Sequence, residues 1–226
     1  MKQFFTGLLI AILVIINAKA FSQRIMAGLI GGFNTTNVQG DDVYGFHKLG
    51  LNGGATAIVP VGEHWSVSVE GIYTQKGAYH AKGGRGMDYQ ARHDYNEYKL
   101  VLNYLEVPLL VHYIDKNWLK GGVGFAYSRL VEVREWEDGV RMATTSLNGG
   151  PYDLNEYSGM VDVQFPLWRQ LKLDGRYTFS LAKIREREYE NMSAGDEKIR
   201  KQYNQVLSFR VVWIINEEAS NQSRLR

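Results

Sequence analysis

After residue 20 the sequence alternates apolar and polar side chains in eight separate runs, most of about ten residues or more, and no long helical stripe interrupts them. Period-two alternation marks strands with two unlike faces. The runs cover roughly 24–34, 48–60, 65–76, 98–114, 118–136, 156–165, 171–181 and 203–215. The cleanest sets Leu171, Leu173, Tyr177, Phe179 and Leu181 against Lys172, Asp174, Arg176, Thr178 and Ser180. Strands of soluble proteins average about five or six residues. A tilted strand that crosses a bilayer needs about 9–11.

The connections are sorted by length. Segments 35–47, 78–97, 137–155 and 182–202 are long, and 61–64, 115–117 and 166–170 are short. Outer-membrane barrels have short periplasmic turns and long external loops. With both termini in the periplasm, every long segment falls outside. Trp65, Trp118, Trp168 and Trp213 lie at the short-turn ends, joined by Tyr113 and Phe165. Tyr73, Tyr127, Tyr157, Phe179 and Tyr203 lie toward the long-loop ends. Two such aromatic belts mark the two membrane–water interfaces. Backbone groups cannot stay unpaired in lipid, so the sheet must close. The sequence therefore predicts an all-β fold, an eight-stranded antiparallel up-and-down transmembrane β-barrel over 21–215 in the bacterial outer membrane.

The chain opens with Lys2, runs apolar from Phe4 to Ile16, and then reads Asn17-Ala18-Lys19-Ala20. That is the pattern of a secretory signal peptide over residues 1–20. The apolar stretch is shorter than the roughly 20 residues of a helical anchor. Of 26 basic and 24 acidic side chains, residues 1–20 hold Lys2 and Lys19 and no acid, which leaves 24 of each sign. A neutral mature chain lacks the basic footprint of a nucleic-acid binder. The absence of Cys rules out disulfides, thiolate metal sites and a lipidated N-terminal cysteine. Residues 216–226 form a polar tail.

If the apolar faces meet lipid, the polar faces point into the lumen. The inward set is rich in charge: Glu70, Lys76, Glu106, Lys120, Asp162, Lys172, Asp174, Arg176 and Arg210. Buried charges need partners. Glu70, Glu106, Asp162, Asp174, Arg176 and Arg210 are therefore the candidates for an ion-pair network across the lumen. An eight-stranded barrel has an interior that side chains can fill, which favours a plug over an ion path.

No catalytic or metal signature is present. His47, His64, His80, His93 and His112 match no HExxH-like spacing. His80 and His93 share a polar loop with acidic residues, where solvation is the simpler reading. A rim enzyme could set them near Ser128 or Ser180, but nothing fixes such a geometry and no GxSxG motif accompanies them. His112 reads as an inward polar residue near the periplasmic end. GGVG at 121–124 lacks the Lys-Ser/Thr of a phosphate loop. No cofactor is expected. The segment 182–202 carries both signs densely and is too polar to fold alone. Arg185, Arg187, Lys198, Arg200 and Lys201 in it are candidates for contact with lipopolysaccharide phosphates.

Two segments carry a resemblance. Val69–Gly77 (VEGIYTQKG) followed by Leu102–Tyr113 (LNYLEVPLLVHY) resembles the PorT family of outer-membrane β-barrels from Bacteroidetes. In that family a strand reading E-x-x-Y-x-Q-K-G precedes Y-L-E-I-P-L-L. The glycine-rich GLIGGFNTTN and GVGFAYSRL segments fit as well. The resemblance implies an eight-stranded outer-membrane barrel, and its namesake is implicated in protein export. The chain departs from many barrels in ending Trp213-Ile214-Ile215 and then a polar tail, instead of on the terminal aromatic that marks a last strand for assembly. Expected partners are outer-membrane lipid and lipopolysaccharide, the barrel-assembly machinery, and envelope or secretion proteins, with no nucleic acid. The functional expectation is a structural or accessory barrel with a plugged lumen. The alternatives are a narrow channel or transporter for small solutes and a lipid-modifying enzyme at the rim. A soluble ligand-binding barrel is opposed by polar inward and apolar outward faces.

Overall fold

A computed structural model describes residues 25–40, 45–80, 97–115, 118–143, 145–147, 149–190 and 197–216. The signal peptide read over 1–20, the tail beyond residue 216 and His93 lie outside the described residues. Eleven strands follow in order: β1 (Met26–Gln39), β2 (Lys48–Val61), β3 (Trp65–Lys76), β4 (Tyr79–His80), β5 (Tyr98–Asp115), β6 (Leu119–Glu137), β7 (Val140–Arg141), β8 (Asn155–Trp168), β9 (Leu171–Ser180), β10 (Arg185–Glu190) and β11 (Glu197–Ile214). Eight of them form the ring β5-β3-β2-β1-β11-β9-β8-β6, and β5 pairs again with β6. All pairings are antiparallel. The pair β1–β11 joins the chain ends over a register from Gly28↔Ile214 to Gln39↔Tyr203. The sheet has no free long edge in the membrane, as lipid requires.

The wall is apolar outside and polar inside where it crosses lipid. On β5, Leu105, Val107, Leu109, Val111 and Tyr113 are exposed, while Glu106, Leu110 and His112 are buried between them. Leu105–Tyr113 spans nine residues, the length about 9–11 residues of tilted strand needs. At the short-turn end Trp65 packs edge-on to Tyr113 at 5.1 Å, and Trp118 lies 6.2 Å from Phe165. At the other end Tyr127 and Tyr157 pair at 5.6 Å.

Beyond this band the polarity inverts. Leu100 and Leu102 on β5 are buried with Tyr98 and Tyr104, and Lys99 faces out. They join Val38, Ala78, Leu130, Val133, Tyr152 and Ile184 in an apolar cluster inside the outer end of the barrel. There the wall stands in water, so the ordinary inside-apolar rule returns. A β-bulge on β6 opposite Asn103/Tyr104 assists the switch. Tyr104 pairs Leu130 and Asn103 pairs Glu132, so Val131 is the extra residue. The inward series on β6 then passes from Ala126, Ser128 and Leu130 to Val133 and Glu135.

The strands outrun their sequence boundaries for the same reason. The segments 35–47 and 182–202 read as loops because their alternation lacks an apolar outward face. Yet β1 continues to Gln39, and β10 pairs β11 from Arg185↔Gln202 to Glu190↔Glu197. A strand standing in water needs no apolar outer face. β8 runs through Pro166 to Trp168, which shortens the turn read at 166–170; Arg169 there has φ +34°.

The inversion makes a testable contrast on one face of one strand. Leu109→Arg, in mid-band, is expected to cost about 2–4 kcal/mol, whereas Val101→Arg, beyond the belt, should cost about 0–1 kcal/mol. Denaturant titration of each variant folded into liposomes measures both. Equal costs would contradict the assigned band.

Candidate functional site

The polar interior is organised as two layers of ion pairs. The layer toward the periplasm joins β3, β5, β8, β9 and β11. Arg176 (β9) grips Glu70 (β3) with both terminal nitrogens at 2.8 Å, and Nη2 also donates to Asp162 (β8) at 2.9 Å. Arg210 (β11) donates from Nε to Asp174 (β9) at 2.7 Å and from Nη1 to Glu70 at 3.1 Å. His112 (β5) brings Nε2 to 3.2 and 3.3 Å from the two Asp162 oxygens, and Gln164 donates to Asp174 at 2.8 Å. Within the ring, β3 and β9 are separated by β2, β1 and β11 one way and by β5, β6 and β8 the other. The Glu70–Arg176 contact therefore spans the full lumen.

The second layer lies nearer the outer end. Lys76 (β3) sits 3.0 Å from Glu106 (β5) and 3.2 Å from Glu156 (β8). Ser128 donates to Glu106 at 3.0 Å. Ser180 and Asn204 donate to the two oxygens of Glu156 at 2.6 and 2.9 Å. The Lys76 ammonium also lies 4.8 Å over the Tyr104 ring. Every charge in both layers is at most 6% exposed, so each depends on these partners.

All six sequence candidates are thus inside. Glu70, Asp162, Asp174, Arg176 and Arg210 meet in one layer, and Glu106 stands in the other. Lys120 and Lys172 are half-buried at the periplasmic end. Sequence reasoning missed Glu156, which shares the parity of Ser158 and Asp162 but stands where the sixth run begins. It also missed that His112 is a partner of Asp162. Gly122 allows that contact: a Cβ there would fall on Asp162 Oδ1 and the His112 ring. Ser128 and Ser180, the rim-enzyme candidates, are lumen residues committed to Glu106 and Glu156. His80 is buried in β4, not on a solvated loop. His47 and His64 are exposed, and His64 stacks on Tyr113. Among the described residues, no group of three or more His, Cys, Asp or Glu could hold a metal ion.

A third cluster closes the outer end, beyond the membrane. Arg185 donates to Glu135 at 3.1 Å and to the Tyr152 hydroxyl at 2.6 Å. Tyr98 and Thr145 donate to Glu135 at 2.7 and 2.5 Å. Arg185 is therefore turned inward and not toward lipopolysaccharide. Burial raises the Glu135 carboxyl, but the Arg185 charge and the bonds from Thr145, Tyr98 and Arg185 outweigh it and hold the group below its ordinary value. A carboxyl lowered by folding contributes stability that is present above its unfolded pKa and is lost as pH falls through the folded value. Protease resistance next to Thr145 and Tyr152 should accordingly hold at neutral pH and fall below the usual carboxylate range. Resistance unchanged in acid would contradict the latch.

Arg176→Met leaves Glu70 and Asp162 without their shared cation. Removing one partner of a buried pair costs about 3–5 kcal/mol, so the variant should melt well below the parent in heat-modifiable gel migration. An unchanged transition would show that the pairing contributes nothing.

A family model described as outer membrane protein beta-barrel domain matches residues 18–186. No curated protein matches the chain. Among solved structures, Neisserial surface protein A (NspA) is similar at 10% identity and TM-score 0.48, covering 84% of this chain and 97% of that one. Ail, the attachment invasion locus protein of Yersinia pestis, gives 11% and 0.47, covering 84% and 98%. OprG from Pseudomonas aeruginosa gives 12% and 0.38, covering 85% and 97%. Likeness at this level says nothing of function. The family match covers most of the chain: this protein belongs to the outer membrane protein beta-barrel domain family and resides in the bacterial outer membrane.

Proposed function

We propose that this barrel is a closed, non-conducting accessory component of the outer membrane, which serves partners at its surfaces instead of passing solutes. The observation that carries this reading is the filling of the lumen. The cavity between the two ion-paired layers, lined in part by Asn52, Lys76, Glu106, Arg176 and Arg210, holds about 10 Å³. That is room for about one water. An eight-stranded barrel is narrow enough for side chains to occupy its section, and the apolar cluster at the outer end adds a second obstruction.

A narrower version places the barrel among PorT-like proteins of Bacteroidetes, with a part in envelope integrity or protein secretion. Tyr104–Leu110 supports it: the motif supplies Tyr104, which caps Lys76, and Glu106, which pairs with it. In this reading residues 1–20 are the export signal, and 216–226 is a periplasmic tail available to partners.

Single-channel recording of the purified mature protein in planar bilayers tests the proposal, with heat-modifiable migration to confirm folding. The expected result is a folded barrel without discrete conductance. Stable conductance steps would instead make it a narrow channel, with Glu106 and Arg210 the first residues to change.

A further inference from the structure

Above the membrane the ladder on one side of β6 is interrupted. β5 pairs the other side along its whole length, from Asp115↔Leu119 to Tyr98↔Glu137. The interrupted side is shared by two strands: β8 pairs it up to Arg129↔Asn155, and β7 pairs only Trp136 and Glu137. Two further backbone bonds bound the gap: Leu130 N–H donates to Leu154 O at 2.8 Å, and Met142 N–H donates to Glu135 O at 2.9 Å. Between them Val131–Arg134 spans about 13 Å of strand. Glu135 turns its carbonyl to this side, so Val133, two residues earlier, turns its N–H and C=O the same way. Among the described residues no backbone bond meets them there. A groove of about 520 Å³ runs along this edge. Val131, Met142 and Leu147 give it apolar lining, and Arg141 gives it an exposed guanidinium. Glu132 shares the wall, but Arg134 pairs with it and Asn103 donates to it at 2.6 Å. Arg141 has no ion-pair partner among the described residues.

We propose that this gap takes an extended peptide segment of a partner protein outside the cell, added to β6 as a short strand with an acidic side chain against Arg141. The inference rests on the reading of the barrel as an accessory component that serves partners at its surfaces. The occupant follows from chemistry. A main-chain N–H and C=O offered side by side in line with a ladder are matched by another strand, which presents the same pair in return. Lipid does not cover the gap, because it stands beyond the Tyr127–Tyr157 belt, where water lies outside the wall. A residue added opposite Val133 points its side chain to the inner face, as Val133 does. Its neighbours point to the outer face, on which Arg141 stands opposite Trp136. An apolar residue followed by an acidic one therefore fits the groove. The length of the gap sets the docked segment at about four residues.

The test follows the Val133 amide by NMR in the full mature barrel, folded in nanodiscs, while capped tetrapeptides are added. The probes are Thr-Val-Glu-Thr, the same peptide with Lys in place of Glu, and the first peptide N-methylated at its valine. The acidic peptide should shift the Val133 amide saturably. The Lys peptide should bind about fivefold more weakly, and the N-methylated peptide, which lacks the donor to Val133 O, should give no saturable shift. Arg141→Gln should erase the preference between the acidic and Lys peptides. Should that variant fail to fold, the three peptides on the parent decide. An unmoved Val133 amide, an equal response to the N-methylated peptide, equal binding of the two charged peptides to the parent, or a charge preference that survives in folded Arg141→Gln would each overturn the proposal. Conductance separates this outcome from the closed-barrel reading: a silent barrel that binds none of the peptides strikes the docking strand alone.

Discussion

The bidentate contact between Arg176 and Glu70 is the interaction on which the interior depends. It joins opposite walls of the barrel, 106 residues apart in sequence. Arg176 also reaches Asp162, and Glu70 also accepts from Arg210, which in turn holds Asp174. The two guanidiniums thereby share three carboxylates in one water-poor layer. None of these charges could be buried alone. Together they fill the section and couple β3, β8, β9 and β11, so strand register and lumen packing reinforce each other. Gly32 and Gly122 belong to the same arrangement: a Cβ at the first would strike the backbone of Phe209 and Arg210, and at the second the His112–Asp162 pair.

The second constraint is the change of solvent along each strand. Within the band the outside is hydrocarbon, and side chains such as Val107 and Phe125 dissolve there. Beyond Tyr127 and Tyr157 the outside is water, and apolar groups such as Leu100, Leu102 and Ile184 turn inward. One wall therefore carries two opposite polarities, joined at the bulge on β6. The Glu135–Arg185–Tyr152 cluster lies above that junction and ties Thr145 and Tyr152 to the barrel mouth. The interior is thus sealed in two chemically different ways, by ion pairs within the membrane and by an apolar core outside it.

The eight ring strands, their topology and the inward parity of the charged residues were legible in the sequence, because lipid enforces alternation, whereas β4, β7 and β10 were not. β9 shows this best: its apolar and polar series separate as expected, and Arg176 and Asp174 fall inward. Alternation with an apolar outer face ends where lipid ends. Thr35–Gln39 and Arg185–Glu190 carry strands without an apolar outer face, so alternation alone does not distinguish them from loops. The bulge was hidden because Leu130-Val131-Glu132-Val133 offers apolar residues on both parities. Parity also says which residues enter the lumen but not at what height they meet. Asp162 with Arg176 and Asp174 with Arg210 are register neighbours, whereas Glu70 with Arg176 depends on the stagger of distant strands.

A double-mutant cycle on Glu70 and Arg176 tests the account most directly, with unfolding free energy measured for the barrel in lipid. The variants are Glu70→Gln, Arg176→Met and the pair. If the two side chains hold opposite walls together, the effects will be strongly non-additive, with a coupling of about 1–3 kcal/mol and a double variant less damaged than the sum. Additive effects would mean that the two charges are buried independently, and the cross-lumen contact would lose its place at the centre of the structure.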